Sequence, residues 1–477
     1  MPRLAWFTPL PPARSGVAQY SVELLPGLTS AHQIDLFVDG APERFVRPNA
    51  HASVYSAHDF VWKNYRRPYD LVVYQLGNAP CHDYMWAYLV RYPGLVVLHD
   101  GELHHARARS LLQHGRNDDY RSEFRFNHPD AEVDLAELGI AGLLGSLTYL
   151  LPMRRVVVES ARLVVVHSHW LADRIREEHP MARVEVVEMG VPAPVVRADA
   201  GETVRARHQI PADAVLFAAF GEVTPEKRIS QAIQGMASIV EAVPNIHLLL
   251  AGRAVDHYDP QAEAHALGVM DRVTIAGFVP EEQMPEYLAA ADVCLCMRWP
   301  SSRETSAAWL RCLAAGRPTV ITDLVHTVDV PALDPRSWTP LVAPSSSSDA
   351  LRPRPVSTEP ACVSIDILDE VHSLRLAMRR LATDGRLRAV LGRNARKLWM
   401  ERFTLDRMVS GYRNAVETAC AAPPPDFATR SRLPAHFLTD GTEHTAHLLR
   451  QMALSESGDS LFRRSVLHSS LKRFEER

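Results

Sequence analysis

No stretch of this chain approaches the roughly 18–20 consecutive apolar residues that a bilayer-crossing helix needs. The first residues, MPRLAWFTPLPPARSG, hold no apolar run of the kind a secretory leader carries. Cysteine is scarce, with six in 477 residues, at positions 81, 294, 296, 312, 362 and 420, and there is no C-x-x-C pair. Cys294 and Cys296 fall in an apolar run, which makes them buried strand residues rather than metal ligands. An excess of one charge is also missing. Lys plus Arg is 52 and Asp plus Glu is 56, a formal −4, without the basic surplus of a general nucleic-acid binder. D-x-D and H-E-x-x-H are both absent. The expectation is a reduced, cytoplasmic protein that binds neither nucleic acid nor metal.

What is present is a series of short apolar runs separated by segments of helical periodicity. The first group is Leu4–Phe7, Ile34–Val38, Leu71–Tyr74, Leu95–Leu98, Leu163–Val166 and Val184–Val187. The second is Val215–Phe220, Ile246–Ala251, Val273–Ala276, Asp292–Met297 and Thr319–Thr322. Runs this short, rich in Val, Ile and Leu, are what parallel strands covered by helices on both faces look like. Strands alternating with helices imply right-handed crossovers and doubly wound sheets. The chain is too long for one ordinary core, so the expectation is two Rossmann-like α/β domains facing across a cleft.

The first domain is expected over residues 1–192 and the second over 213–404, with the Pro-, Ala- and charge-rich segment 193–212 as the hinge. Residues 405–422 predict a helix returning to the first domain, and 423–477 form a tail. The connection 102–155 is long and contains IAGLLGSLTYLL (140–151), which fits a buried helix or a lipid- or acceptor-contacting insertion. The stretch 334–360, with SSSS at 345–348, is a surface loop. In the tail, SLFRRSVLHSSLKRFEER spaces Phe462, Val466, Leu467, Leu471 and Phe474 near helical periodicity, as a docking helix or a membrane-surface helix.

In open parallel sheets ligands bind beyond the carboxyl ends of strands, so the residues after each run are the candidates. After the first run, Ser15-Gly16 opens a helix, and Gly16 permits close backbone approach. After Leu95–Leu98 come His99, Asp100 and Gly101. His99 can bond a substrate hydroxyl, and a metal set of His99, Asp100 and His104 is the alternative. After Val215–Phe220, Gly221 precedes Lys227-Arg228 at a helix start, a placement suited to a diphosphate. After Asp292–Met297, Glu304 precedes Thr305, Ser306 and Ala307, small residues that leave a helical first turn open to a ligand; Gly316 and Pro318 end that helix.

In order along the chain, PLPPARSGVAQYS, VVLHD, VVVHSHW, VEVVEMGVP, FGEVTPEKRI, LLLAGR, VTIAGFV and RETSAAWLRCLAAGRPTVIT together resemble the family 4 retaining glycosyltransferases, over roughly residues 3–420. The resemblance implies a GT-B fold with a nucleotide diphosphate sugar as donor substrate, mainly on the second domain, and no cofactor. It places Gly16 by the donor phosphates, His99 at the sugar, Lys227 at the diphosphate and Glu304 as the first glutamate of an E-x7-E motif. Gly252 and the turn Gly277-Phe278-Val279 fall on the nucleotide side. Two positions depart: Cys312 stands where the second glutamate holds the ribose, and Glu222 where an arginine often meets phosphate, with Arg228 as the replacement charge. The implied activity is metal-independent, retaining transfer to a hydroxyl on a glycan or lipid-linked acceptor, with peripheral contact at the inner membrane face. A sugar-nucleotide epimerase, a phosphorylase or a non-catalytic interaction protein on the same fold are the alternatives.

Overall fold

The computed structural model describes residues 1–49, 51–341, 359–426, 429 and 431–438. The expected serine run at 345–348 and the amphipathic segment at 460–477 lie outside them.

The strands are β1 (Arg3–Phe7), β2 (Gln33–Val38), β3 (Ser53–Ser56), β4 (Leu71–Leu76), β5 (Leu95–Leu98), β6 (Leu163–Val166) and β7 (Val184–Val186), then β8 (Val215–Phe220), β9 (Ile246–Ala251), β10 (Val273–Ile275), β11 (Val293–Cys296), β12 (Thr319–Thr322), β13 (Ala332–Leu333) and β14 (Cys362–Ile365). They form two seven-stranded sheets, ordered β3-β2-β1-β4-β5-β6-β7 and β10-β9-β8-β11-β12-β14-β13. All strand pairs are parallel. Strand order reverses between β1 and β4 and again between β8 and β11, which leaves a crevice at the carboxyl ends of each pair. The central strands β4, β5, β6 and β9 are buried along their whole length, as strands with helices on both faces must be.

The helices are α1 (Gly16–Leu28), α2 (Phe60–Arg66), α3 (Met85–Arg91), α4 (His104–Leu112), α5 (Asn117–Asn127), α6 (Val133–Ile140), α7 (Arg155–Ser160), α8 (His169–Glu178), α9 (Ala200–Arg207), α10 (Ile229–Ala237), α11 (Pro260–Ala266), α12 (Met284–Ala290), α13 (Ala307–Ala314), α14 (Glu370–Thr383), α15 (Gly385–Arg402) and α16 (Leu405–Ala421). Met1–Arg430 is one compact unit. In the separate unit after it, Ala435–Leu438 forms one helical turn. Among the described residues no helix is long and apolar enough to cross a membrane.

The chain passes between the lobes at Glu188–Val191 and returns at Arg402–Thr404. These crossings are bonded to each other. Val191 N–H donates to Phe403 O at 3.0 Å and Trp399 Nε1–H to Val191 O at 3.2 Å. A Cβ on Gly190 would stand 2.3 Å from Thr404 O, so only glycine allows the approach. The segment 193–212, expected as the hinge, instead carries α9, which packs on α12. There Arg205 binds Asp292 at 2.7 Å and Ala290 O at 2.9 Å. Its alanine and charge content is helix-forming, which the proline-rich flank masked.

After its return the chain enters α16, which lies on α1 of the first lobe. Tyr20 O–H donates to Tyr412 there, and Arg413 Nη2 to Gly27 O at 2.8 Å. The connection 102–155 is a helical annex with a small core of Leu111, Tyr120, Phe124, Ala136 and Met153. Its apolar run is no buried helix: Gly145–Leu150 is a 3-10 turn on which Leu147 and Leu150 are exposed, beside exposed Leu143.

Candidate functional site

The second lobe contributes two strand exits at its switch point. Gly221 follows β8 with φ +80°, and a Cβ there would come within 2.8 Å of Lys227 Nζ. The chain turns through Pro225–Lys227, and Lys227 Nζ folds back to donate to Phe220 O at 2.7 Å. Burial, and then the Arg298 charge, bring its pKa from the usual lysine value down to about 7. Arg298 leaves β11 next door; its backbone N–H donates to Thr322 Oγ1 at 3.1 Å, and its Nε lies 2.8 Å from Glu304 Oε1. Ser301 Oγ–H donates to Glu304 Oε2 at 2.9 Å, so the carboxylate is held on both sides. Ser306 caps α13 by accepting from Trp309 N–H at 3.3 Å. The amides before that point are first-turn groups without an intrahelical acceptor.

The first lobe supplies His167 and Ser168 beyond β6, with Ser168 capping α8. Behind His167 lies His99. His167 Nδ1 is 2.8 Å from Val187 O and Nε2 is 3.3 Å from His99 Nδ1, while His99 Nε2 is 2.6 Å from Gln75 Oε1. Proton bookkeeping assigns the tautomers. A carbonyl only accepts, so His167 is protonated on Nδ1. The Gln75 carbonyl oxygen also only accepts, so His99 is protonated on Nε2. Burial lowers both pKa values, His167 to about 4, so both rings are neutral near pH 7. Asp100, next to His99, is raised to about 7 by burial and then by Glu304 from the opposite lobe.

These groups meet in a cleft with about 1040 Å³ of empty space, lined among others by His167, Ser168, Lys227, Arg298, Glu304 and Ser306. The lobes touch at its edge. Gly101 N–H donates to Ser302 O at 2.7 Å, and Arg311 Nη2 reaches Glu23 at 2.7 Å and Glu281 at 2.9 Å.

Residues 213–351 match the family model described as Glycosyl transferases group 1. D-inositol 3-phosphate glycosyltransferase of Nocardioides sp. is 27% identical over 224 residues, which is 42% of this chain and 49% of that protein. The match thus spans about half the length of the curated relative. Among solved structures, Anabaena HepE, crystallised with UDP and glucose, superposes with a TM-score of 0.58 at 13% identity, covering 88% of this chain and 100% of that one. Sucrose-phosphate synthase from Thermosynechococcus elongatus gives a TM-score of 0.57 at 16% identity, with coverage of 88% and 100%. The fold is GT-B.

Within this GT-B cleft the structure brings together Lys227, Glu304, Thr305 and Ser306 from the sequence-derived set. Ala307, the first residue of α13, is next to them. Gly221 stands against Lys227 at the β8 exit, and the remaining ones stand elsewhere. His99 is buried with both ring nitrogens engaged by protein, so the ring facing the cleft is His167 and not His99. Arg228 takes φ +59° and turns away to grip Glu370 with both nitrogens, Nε at 2.7 Å, so it does not replace a phosphate-binding arginine. Cys312 is fully buried, with its sulfur 3.8 Å from Cys296 Sγ and its thiol pushed up by burial, and it cannot reach a ribose.

Gly252 serves a close approach, since a Cβ would lie 2.0 Å from Gly221 O. Gly16 opens α1 behind Ser15, and Gly277 takes φ +72°; both face open space rather than lining the cavity. Val279 is buried, while Phe278 is exposed with Arg14 5.9 Å from its ring. His104, weighed as a metal ligand, is occupied by Leu151 O and Tyr120. Sequence reasoning missed Arg298, Ser301 and His167. Arg298 and His167 stand at the ends of β11 and β6, so the strand-exit rule would have found both.

Proposed function

We propose that this chain is a retaining, metal-independent glycosyltransferase that moves a sugar from a nucleotide diphosphate donor to an acceptor hydroxyl. The observation that carries the proposal is the convergence of Lys227, Arg298 and the start of α13 at the β8/β11 switch point, which supplies cationic and amide donors where a diphosphate would lie. The match of this lobe to the group 1 family model and the UDP-containing crystals of HepE support it.

As the glycosidic bond breaks, the leaving diphosphate gains charge. Lys227 and Arg298 stabilise it, and the first-turn amides of α13 add fixed dipoles that need no reorganisation. Glu304, held by Arg298 and Ser301, accepts hydrogen bonds from sugar hydroxyls. The acceptor hydroxyl attacks from the face the diphosphate leaves. The annex 102–155 walls the acceptor side, where Tyr149 is pushed up by burial and by the Glu226 and Glu304 carboxylates. The exposed leucines beside it suit an acceptor with an apolar portion, presented at the inner face of a membrane.

Uridine diphosphate should raise the melting temperature of the full chain, and turnover of a uridine diphosphate sugar should persist in excess chelator with retained anomeric configuration. Lys227→Ala should reduce turnover at least a hundredfold with the fold intact. Near-normal turnover in that variant would refute the phosphate assignment. Nucleotide binding without transfer to any hydroxyl acceptor would favour the interaction-protein reading.

A further inference from the structure

The second sheet has an opposite end, at the amino termini of β11 and β12. There Asp292, the turn Gly316–Pro318 and one face of α15 enclose a separate hollow with about 890 Å³ of empty space. Arg317, Arg388, Arg393 and Arg396 line it; the last three recur along α15 within two turns or so.

Other arginines of this molecule face carboxylates, as Arg228, Arg311 and Arg402 do. These four have none within reach among the described residues. Arg388 Nη1 donates to Leu381 O at 2.6 Å and Ala382 O at 3.2 Å, Arg396 donates to Ala314 O, and Arg317 Nη2 donates to Ala289 O at 2.9 Å. Those carbonyls belong to the last turns of α14, α13 and α12, so helix capping explains part of the arrangement. The magnitudes show that it does not explain all of it. Three helix ends carry about half a negative charge each, roughly −1.5 together, against four fixed positive charges.

Asp292, which lines the hollow, is already held by Arg205 at 2.7 Å and by Leu216 N–H at 2.8 Å. Arg317 Nε is buried with no partner among the described residues, and Arg393 is exposed. The floor is bare backbone, because a Cβ on Gly392 would stand 2.4 Å from Gly316 O.

We propose that this hollow is a second anion site, for a compact, multiply charged phosphate taken from solution. Guanidinium groups in fixed orientation suit phosphate oxygens in pairs, and the excess charge requires more than one negative charge in return. The site lies at the far end of β11 and α13 from the donor cleft and does not rest on the transferase reading.

Calorimetric titration of the full chain with inorganic tripolyphosphate should resolve two classes of site. Lys227→Ala with Arg298→Ala should remove one class. Arg317→Ala with Arg393→Ala should weaken the other at least tenfold, while leaving nucleotide-dependent stabilisation unchanged. Should Arg317→Ala not fold, Arg393→Glu alone, at an exposed position, should give the same loss. Survival of both classes in the hollow variants would overturn the proposal. So would binding only to vesicles bearing phosphorylated headgroups, with none to the free anion. If the cleft binds no phosphate, one class appears in the wild type, and the hollow variants alone should abolish it.

Discussion

Arg228 and Arg298 both stand just beyond strands at the β8/β11 switch point, yet their partners give them opposite roles. Glu370, 7% exposed in its side chain, holds Arg228 away from the cleft. Arg228→Ala leaves that carboxylate buried and unpaired, which should lower the unfolding free energy by about 3 kcal/mol and leave nucleoside diphosphate affinity within about twofold. Arg298→Ala removes a charge-assisted contact and should weaken the same affinity tenfold or more, about 2 kcal/mol. Urea melts and calorimetric titrations of the two variants separate the roles, and reversed results would exchange them.

Lys227 adds a pH signature. With its pKa brought down to about 7, the free protein at pH 8 carries it mostly neutral. A bound diphosphate favours the charged form, so binding at pH 8 should take up close to one proton, falling toward none at pH 6. Affinity should therefore decline as pH rises above 7. Titrations in buffers of different ionisation enthalpy measure the uptake, and proton release at pH 8 would contradict the assignment.

At the level of elements, the strand-and-helix alternation was legible because β5 and β6 are continuous apolar runs and β4 and β9 are interrupted only by Gln75 and His247, since burial on both faces leaves little room for polar alternation. Strands β3, β13 and β14 escaped. β13 has two residues, and Ser53 and Ser56 begin and end β3. The site was legible where it is built from residues just past a strand's carboxyl end, as at Lys227 and Glu304. It was not legible where it depends on a partner 142 positions away, as for Arg228 and Glu370. Cys312 is a different case. Trp309, Leu310 and Leu313 already mark the buried face of α13, and a residue three after Trp309 shares it, so its turn toward Cys296 was readable from spacing.

Gly252 shows the same dependence on neighbouring elements. The atom its Cβ would strike is Gly221 O, in the turn that leads to Lys227. Gly252→Ala should cost about 2–3 kcal/mol and weaken diphosphate binding as well. Gly277→Ala has open space and only its φ of +72° to oppose it, and should cost about 1 kcal/mol. Thermal melts that rank the two the other way would show that the close approach is not the constraint at 252.

At the scale of the whole molecule, the lobes share a core and meet again at the edge of the cleft. One buried cluster runs from Trp6 and Leu24 of the first lobe through Tyr412 and Trp399 to Trp309 and Leu310 of the second. The bonded crossings at Val191 and Phe403 fix the pivot. Arg311 on α13 joins Glu23 on α1 and also Glu281, with side chains 16%, 13% and 38% exposed. Only the Arg311–Glu23 pair joins the two lobes, and a pair with this much solvent contact is worth roughly 0.5 kcal/mol, so Arg311→Ala should destabilise the closed form by about 0.5 kcal/mol and raise the open population about twofold.

The Gly101 amide reports that change directly, because its acceptor, Ser302 O, lies on the other lobe 2.7 Å away. Its hydrogen exchange should accelerate about twofold in the variant, while amides inside β5 stay unchanged. Added nucleoside diphosphate should slow it again if closure and donor binding are coupled. An unaltered Gly101 rate would mean that the contact at Ser302, and not Arg311, holds the lobes together.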